Sequence, residues 1–130
     1  MTTKTARGTF DVKLAALPIE VGPTVGRRSI AKTFAGDLTG SGVGQMISAL
    51  GGVEGSAGYV AMELVTGTLD GRRGSFILQH SSTMARGAPT QSITVVPDSG
   101  TGELAGLRGS MEIVIEGGKH SYVFQYSLPK

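Results

Sequence analysis

The sequence contains no cysteine. That excludes disulfides, thiolate nucleophiles and cysteine-ligated metals together, while leaving the compartment open, because secreted proteins can also lack cysteine. Proline is scarce, five in 130 residues, so the glycine excess is not that of a disordered proline-glycine linker. Net charge is only +2, and the basic residues come as short pairs, Arg27-Arg28 and Arg72-Arg73. Without interleaved exposed aromatics, these pairs do not make a single-strand nucleic-acid surface. No apolar run approaches the ~18 residues of a membrane-spanning helix, and residues 1–7 hold no apolar core of a signal peptide. The expectation is a cytoplasmic protein that binds neither nucleic acid nor membrane.

What the chain has in quantity is glycine, 21 residues, set beside strand-like runs where it supplies turns and bulges. Hydrophobic content of 39% against 17% charge suits a folded domain of this length. One glycine-punctuated template, Thr-Gly-x-Leu-x-Gly-x-Arg-Gly-Ser-apolar, occurs at 66–76 and again, 35 residues later, at 101–111. A turn that recurs between apolar runs predicts strands built in pairs.

Period-two alternation, the mark of a half-buried strand, runs through 6–14, 28–38, 59–69, 75–84, 90–96, 110–116 and 120–128. Gly40-Ser41-Gly42-Val43-Gly44 lacks the Gly-Lys-Ser/Thr ending of a phosphate loop and reads as a bend. The segment 45–50 is too short to separate strand from helical turn. Asp70-Gly71-Arg72-Arg73-Gly74 reads as a bulged or longer hairpin loop. If Leu69 opposes Ser75 across it, Met62, Leu64, Phe76, Leu78 and His80 share one face, and Glu63 lies on the other with Gln79 and Ser81. Seven or eight antiparallel strands with hardly any helix make a meander. Such a meander hides its edges most simply as an all-β antiparallel barrel of about eight strands, with room for side chains or one small ligand. A β-sandwich is the alternative. The whole of 1–130 is expected to be one domain, with residues 1–5 frayed.

The run 65–80, the segments 99–109 and 117–122, and Lys32-Thr33-Phe34-Ala35-Gly36-Asp37-Leu38 together resemble a bacterial family of small uncharacterised proteins. That family is described as a domain of unknown function with an allene-oxide-cyclase-like barrel. The resemblance implies an eight-stranded barrel related in shape to allene oxide cyclases and dirigent proteins. Those relatives bind apolar, unstable intermediates and steer their cyclisation or coupling, often as dimers or trimers. A homo-oligomer is therefore expected. No catalytic motif of either enzyme group aligns here, so kinship of fold carries no chemistry by itself.

Candidates for chemistry come from the residues. His80 and His120 both fall on apolar parities, and histidine is the side chain best suited to proton transfer near neutral pH. The bland alternative is a strand-end histidine bonded to a carbonyl or water. Two histidines 40 residues apart, with no local motif, do not make a metal site. Tyr122 and Tyr126, beside Phe124, could line a pocket and fix a carbonyl or enol oxygen, or simply be core. Glu63 lies in an apolar run, where burial would raise its pKa and suit it to acid catalysis. On the register above, Glu63 and His80 cannot both face the lumen. Lys32, on an apolar parity, reads as snorkelling outward near a strand end. Glu103 and Arg108 read as a charge pair or cap that pins the second loop.

The catalytic candidates are thus His80, Tyr122 and Glu63. The ligand-contacting candidates are Met62, Leu64, Phe76, Leu78, Phe124, Tyr126 and His120, with no metal and no cofactor. The function expected is binding of a small apolar molecule in the lumen, with isomerisation or cyclisation by proton transfer. A non-catalytic carrier is the alternative, or a filled barrel acting through an oligomer surface.

Overall fold

A computed structural model describes residues 2–129. It contains β1 (Lys4–Leu17), β2 (Val25–Gly36), β3 (Leu38–Leu50), β4 (Ala57–Leu69), β5 (Arg72–Ala85), β6 (Ala88–Val95), β7 (Arg108–Glu116) and β8 (Lys119–Ser127), with a 3-10 turn at Gly102–Leu104. Each strand pairs antiparallel with its chain neighbours, and β8 returns to β1, so the sheet is a closed eight-stranded barrel and not a sandwich. Closure hides the sheet edges that could template aggregation, except along the β6–β7 seam. Lys4 and Thr5 pair with Tyr126 and Gln125, while Met1 lies outside the described residues. Among the described residues no helix is long and apolar enough to cross a membrane.

The structure departs from the sequence expectations at three places. The strand expected over 28–38 is two strands, because the chain reverses at Asp37. Asp37 pins the corner by bonding Arg7 in both directions, with its carboxylate on the Arg7 N–H (2.8 Å) and its own N–H on the Arg7 carbonyl (3.0 Å). The expected bend at 40–44 lies inside β3, paired on both sides.

The third departure decides the site. Asp70 and Gly71 alone make the β4–β5 turn, at φ 47° and 83°, the left-handed pair that a two-residue hairpin turn requires. Leu69 therefore opposes Arg72, not Ser75. The pairing moves by an odd number of residues, which exchanges the faces of one strand relative to the other. Glu63 and His80 now point inward together, and Met62 and Leu64 point out.

The lumen is filled at one end and open at the other. At the filled end Phe76, Phe124 and Tyr126 stack in series, with ring centroids 5.7 and 5.5 Å apart. The long β6–β7 connection folds across that end and buries Leu104 and Leu107 in the same cluster. The two copies of the glycine template meet here. Ser75 donates its N–H to Thr101 Oγ1 (3.1 Å), and Glu103 accepts the N–H of Arg73 (3.1 Å). The carboxylate of Glu103 thus caps backbone, as one of its two expected roles. The cost of this crossing is a thin seam, since β6 and β7 share only the Thr94–Ser110 pairing. At the open end the barrel encloses a cavity of about 480 Å³.

Candidate functional site

Three ionisable side chains meet at the base of this cavity. Lys32 comes from β2, Glu63 from β4 and His80 from β5, all at inward positions. Lys32 lies opposite Gly42 of β3, and the missing side chain there leaves space for the carboxylate to reach across the intervening strand. A Cβ on Gly42 would collide with Glu63 Oε2. Lys32 Nζ donates to Glu63 Oε1 at 3.1 Å, and His80 Nε2 meets the same oxygen at 2.9 Å. Their residue exposures are 8%, 0% and 3%, so bulk water does little to screen the interaction. The ammonium also sits 4.7 Å from the centre of the Phe10 ring, a cation–π contact that helps offset its lost hydration. The outward-snorkelling lysine expected from sequence is therefore a buried one with a fixed partner.

Protonation follows from these contacts. Burial alone pushes the Glu63 carboxyl up, but the hydrogen bond from His80 and the charges of Lys32 and His80 outweigh it. The net result is a pKa below the ordinary carboxylate value, the opposite of the raised value expected from its apolar run. An ionised carboxylate only accepts hydrogen bonds, so His80 Nε2 must carry a proton. In neutral His80 the acceptor nitrogen is then Nδ1. Nδ1 has no hydrogen-bond partner among the described residues, and it is not among the sealed, orphaned polar atoms. Its ring lines the cavity. Glu63 Oε2, by contrast, is sealed and unpartnered.

Above this floor the walls are apolar: Phe10, Val12, Ile30, Met46 and Ile113, with Leu14, Met84 and Ile115 toward the mouth. Polar groups are few. Tyr59 stands beside His80 with ring centroids 6.4 Å apart. Burial raises its hydroxyl pKa, as does the Glu63 charge, against a hydrogen bond with Ser82 that lowers it. Tyr59, Ser82 and Gln91 also line the cavity. A few polar groups converging in an apolar pocket of this size is the usual form of a small-molecule site.

The sequence candidates divide between the two ends of the barrel. Glu63 and His80 meet at the floor. His120 lines the cavity nearer the β7–β8 end, 5.2 Å from the Phe10 ring, away from Glu63. Tyr122 is buried, and its hydroxyl accepts the Leu38 N–H (2.9 Å) with the Ala35 and Leu38 carbonyls at 3.0 and 3.1 Å. It staples the β2–β3 corner. Tyr126 donates to Asp70, and burial first, then that hydrogen bond and the Asp70 charge, push its pKa up to about 12. Phe76, Leu78 and Phe124 are core of the filled end. Met62 and Leu64 are 53% and 48% exposed on the outer wall, so the register change removes them from the lumen. Among the described residues no three histidine, cysteine or acidic side chains converge as metal ligands.

Lys32 and Tyr59 are among the polar cavity groups that sequence reasoning missed, with Ser82 and Gln91. The signal for Lys32 was there, a charge on an apolar parity, but only with Glu63 turned inward does it gain a reason to stay inside.

Comparison with known proteins agrees with this architecture. No curated protein matches the chain. A crystal structure of a protein with unknown function from the DUF3224 family of Shewanella oneidensis MR-1 is 45% identical, with a TM-score of 0.93 over 99% of each chain. Residues 6–126 match the family described as "Protein of unknown function (DUF3224)". The chain belongs to the DUF3224 family, as a small eight-stranded β-barrel.

Proposed function

We propose that the open half of the barrel binds a small apolar molecule bearing a carbonyl group and moves a proton on it. One observation carries the reading: Lys32 and His80 line the floor of a largely apolar cavity and are both hydrogen-bonded to the Glu63 carboxylate sealed behind them. A buried charged set of this kind adds little to stability over an apolar core, and perturbed ionisable groups in a cleft are a signature of function. The kinship with allene-oxide-cyclase-like barrels that the sequence resemblance implies would support the same reading, by analogy of fold.

In this reading the apolar walls bind the body of the ligand and exclude water, which strengthens every polar contact at the floor. A ligand carbonyl oxygen accepts from the Lys32 ammonium, whose charge stabilises the enolate that forms. His80 Nδ1 takes the proton from the carbon beside the carbonyl. Glu63 holds the ring by Nε2–H and stabilises the imidazolium. Return of the proton at a different carbon, or to the other face, completes an isomerisation, so no other reactant is needed.

Deuterium wash-in tests this directly. An apolar ketone such as 2-heptanone is incubated in deuterated buffer, and exchange at the carbon beside the carbonyl is followed by mass spectrometry. A positioned general base is worth about 10²–10⁴-fold, so the wild-type rate should exceed the buffer rate by a factor in that range and fall to it in His80→Phe. Ketone binding without exchange in the wild type would replace the catalytic reading with that of a carrier. Equal exchange in wild type and His80→Phe would overturn the role of His80.

A further inference from the structure

The register that turns Glu63 inward turns a run of apolar side chains outward. On the outer wall, Val43 is paired with Leu64, Gln45 with Met62 and Ile47 with Val60. Val43, Ile47, Val60, Met62 and Leu64 are all 45–60% exposed, and alternation puts all five on one face of two adjacent strands. The flanking positions continue the surface without charge: Ser29, Ala31 and Thr33 of β2 on one side, and Ile77, Gln79 and Ser81 of β5 on the other.

Charge on the barrel wall is segregated. The outward charged residues within strands gather on β1 (Arg7, Asp11, Lys13), β7 (Arg108, Glu112, Glu116) and β8 (Lys119), while the β2–β5 face carries them only at its ends, at Arg27 and Arg73. Exposed apolar groups scattered singly need no explanation, but a contiguous apolar patch on a wall otherwise rich in charge marks an interaction site.

We infer that this β2–β5 face is a two-fold interface, and that its occupant is the same face of a second copy of the chain. Two features select that occupant. In a two-fold contact each residue near the axis faces its own copy, so any charge there would meet a like charge. A face with no charge across its centre satisfies that condition, and it gives a charged partner nothing to pair with. The area also fits. Unrolled, four strands ~4.8 Å apart and about ten paired rows of ~3.4 Å cover roughly 650 Å². The wall curves through half of the closed barrel, so this is the upper bound of the contact, near the lower end of what each partner of a stable complex buries. Gln45 and Met62, paired at the centre of the patch, lie nearest the axis. The two lumens would open independently, since the mouth is at the strand ends and the interface on the wall.

The test is the oligomeric state, and the absence of cysteine makes it clean. Sedimentation from about 1 µM to 1 mM should show a reversible dimer, with Met62→Glu and Leu64→Glu each raising its dissociation constant at least about tenfold through like charges at the axis. Both sites are exposed, so the variants should keep the wild-type circular dichroism spectrum. Glu112→Lys, on the charged wall, should leave the dimer unchanged. Met62→Cys should cross-link to itself on mild oxidation, and Ser121→Cys should not. A chain that stays monomeric at 1 mM overturns the inference. So does a dimer indifferent to both glutamate substitutions, or one cross-linked through position 121. Preferential binding of the patch to lipid vesicles, in a chain that remains monomeric, would assign the face to a membrane surface instead.

Discussion

Replacing Glu63 by glutamine probes the three-residue floor with the least change of shape. The amide fills the same volume, but the charge that Lys32 and His80 share is gone. Lys32 is then a buried cation, 8% exposed, with the Phe10 and Phe34 rings beside it and no counter-charge. Breaking one side of a buried ion pair costs about 3–5 kcal/mol, because the remaining charge is left uncompensated. Unfolding entropy of about 2.1 cal/mol/K per residue gives a 130-residue chain about 0.27 kcal/mol/K, so each kcal/mol moves Tm by about 3.7 °C. Glu63→Gln should therefore lower Tm by about 11–18 °C, read by calorimetry on wild type and variant at pH 7.

The double variant Lys32→Met with Glu63→Gln removes both charges. It should be more stable than Glu63→Gln alone, with a coupling of at least ~1 kcal/mol in the double-mutant cycle. A fall of less than ~4 °C in Glu63→Gln, or strict additivity of the two changes, would refute the claim that Glu63 holds Lys32 inside.

Three smaller predictions follow from the same contacts. The Glu63 pKa is below its ordinary value of 4.5. Its contribution is therefore complete above that pH and is lost as pH falls through the lower folded value. The gap in urea midpoint between wild type and Glu63→Gln should accordingly narrow from pH 5 toward pH 2, and a constant gap would contradict it. Tyr122→Phe should cost about 1–3 kcal/mol in urea unfolding, because the Leu38 N–H loses its partner in a buried corner. It should leave ketone exchange unchanged, since Tyr122 lies outside the cavity lining. Gly42→Ala should displace the Glu63 carboxylate and cost about 1–3 kcal/mol by overpacking. Wild-type stability in Gly42→Ala would show that the carboxylate has room to spare.

Much of the fold was legible in the sequence, because alternation names a strand even when its partner is unknown. The inward sets Phe10 and Val12, Phe76 and Leu78, and Tyr122, Phe124 and Tyr126 follow from period two alone. What alternation cannot give is the relation between strands. Here that relation rests on how many residues of Asp70-Gly71-Arg72-Arg73-Gly74 belong to the turn. Reading all five as loop places Met62 and Leu64 in the lumen and separates Glu63 from His80. Two residues with positive φ reverse both conclusions at once.

Asp37 escaped notice for a related reason. A corner made by one residue, held by its bonds to Arg7, leaves no polar run to mark it. Gly40, Gly42 and Gly44 misled because glycine more often marks a turn than a close approach within a strand. At Gly42 the approach is that of a buried carboxylate. Lys32 could be interpreted only after Glu63 was placed.

In the proposed function, the open half of the lumen is a ligand site with His80 and Lys32 at its floor. Mass spectrometry of small molecules extracted from purified protein tests this, comparing wild type with Ser48→Trp, where an indole would fill part of the cavity that Ser48 lines. An apolar, carbonyl-bearing molecule should be recovered from the wild type and lost from a folded Ser48→Trp variant. Equal recovery from both proteins, or nothing from either even after exposure to a panel of apolar ketones, would contradict it.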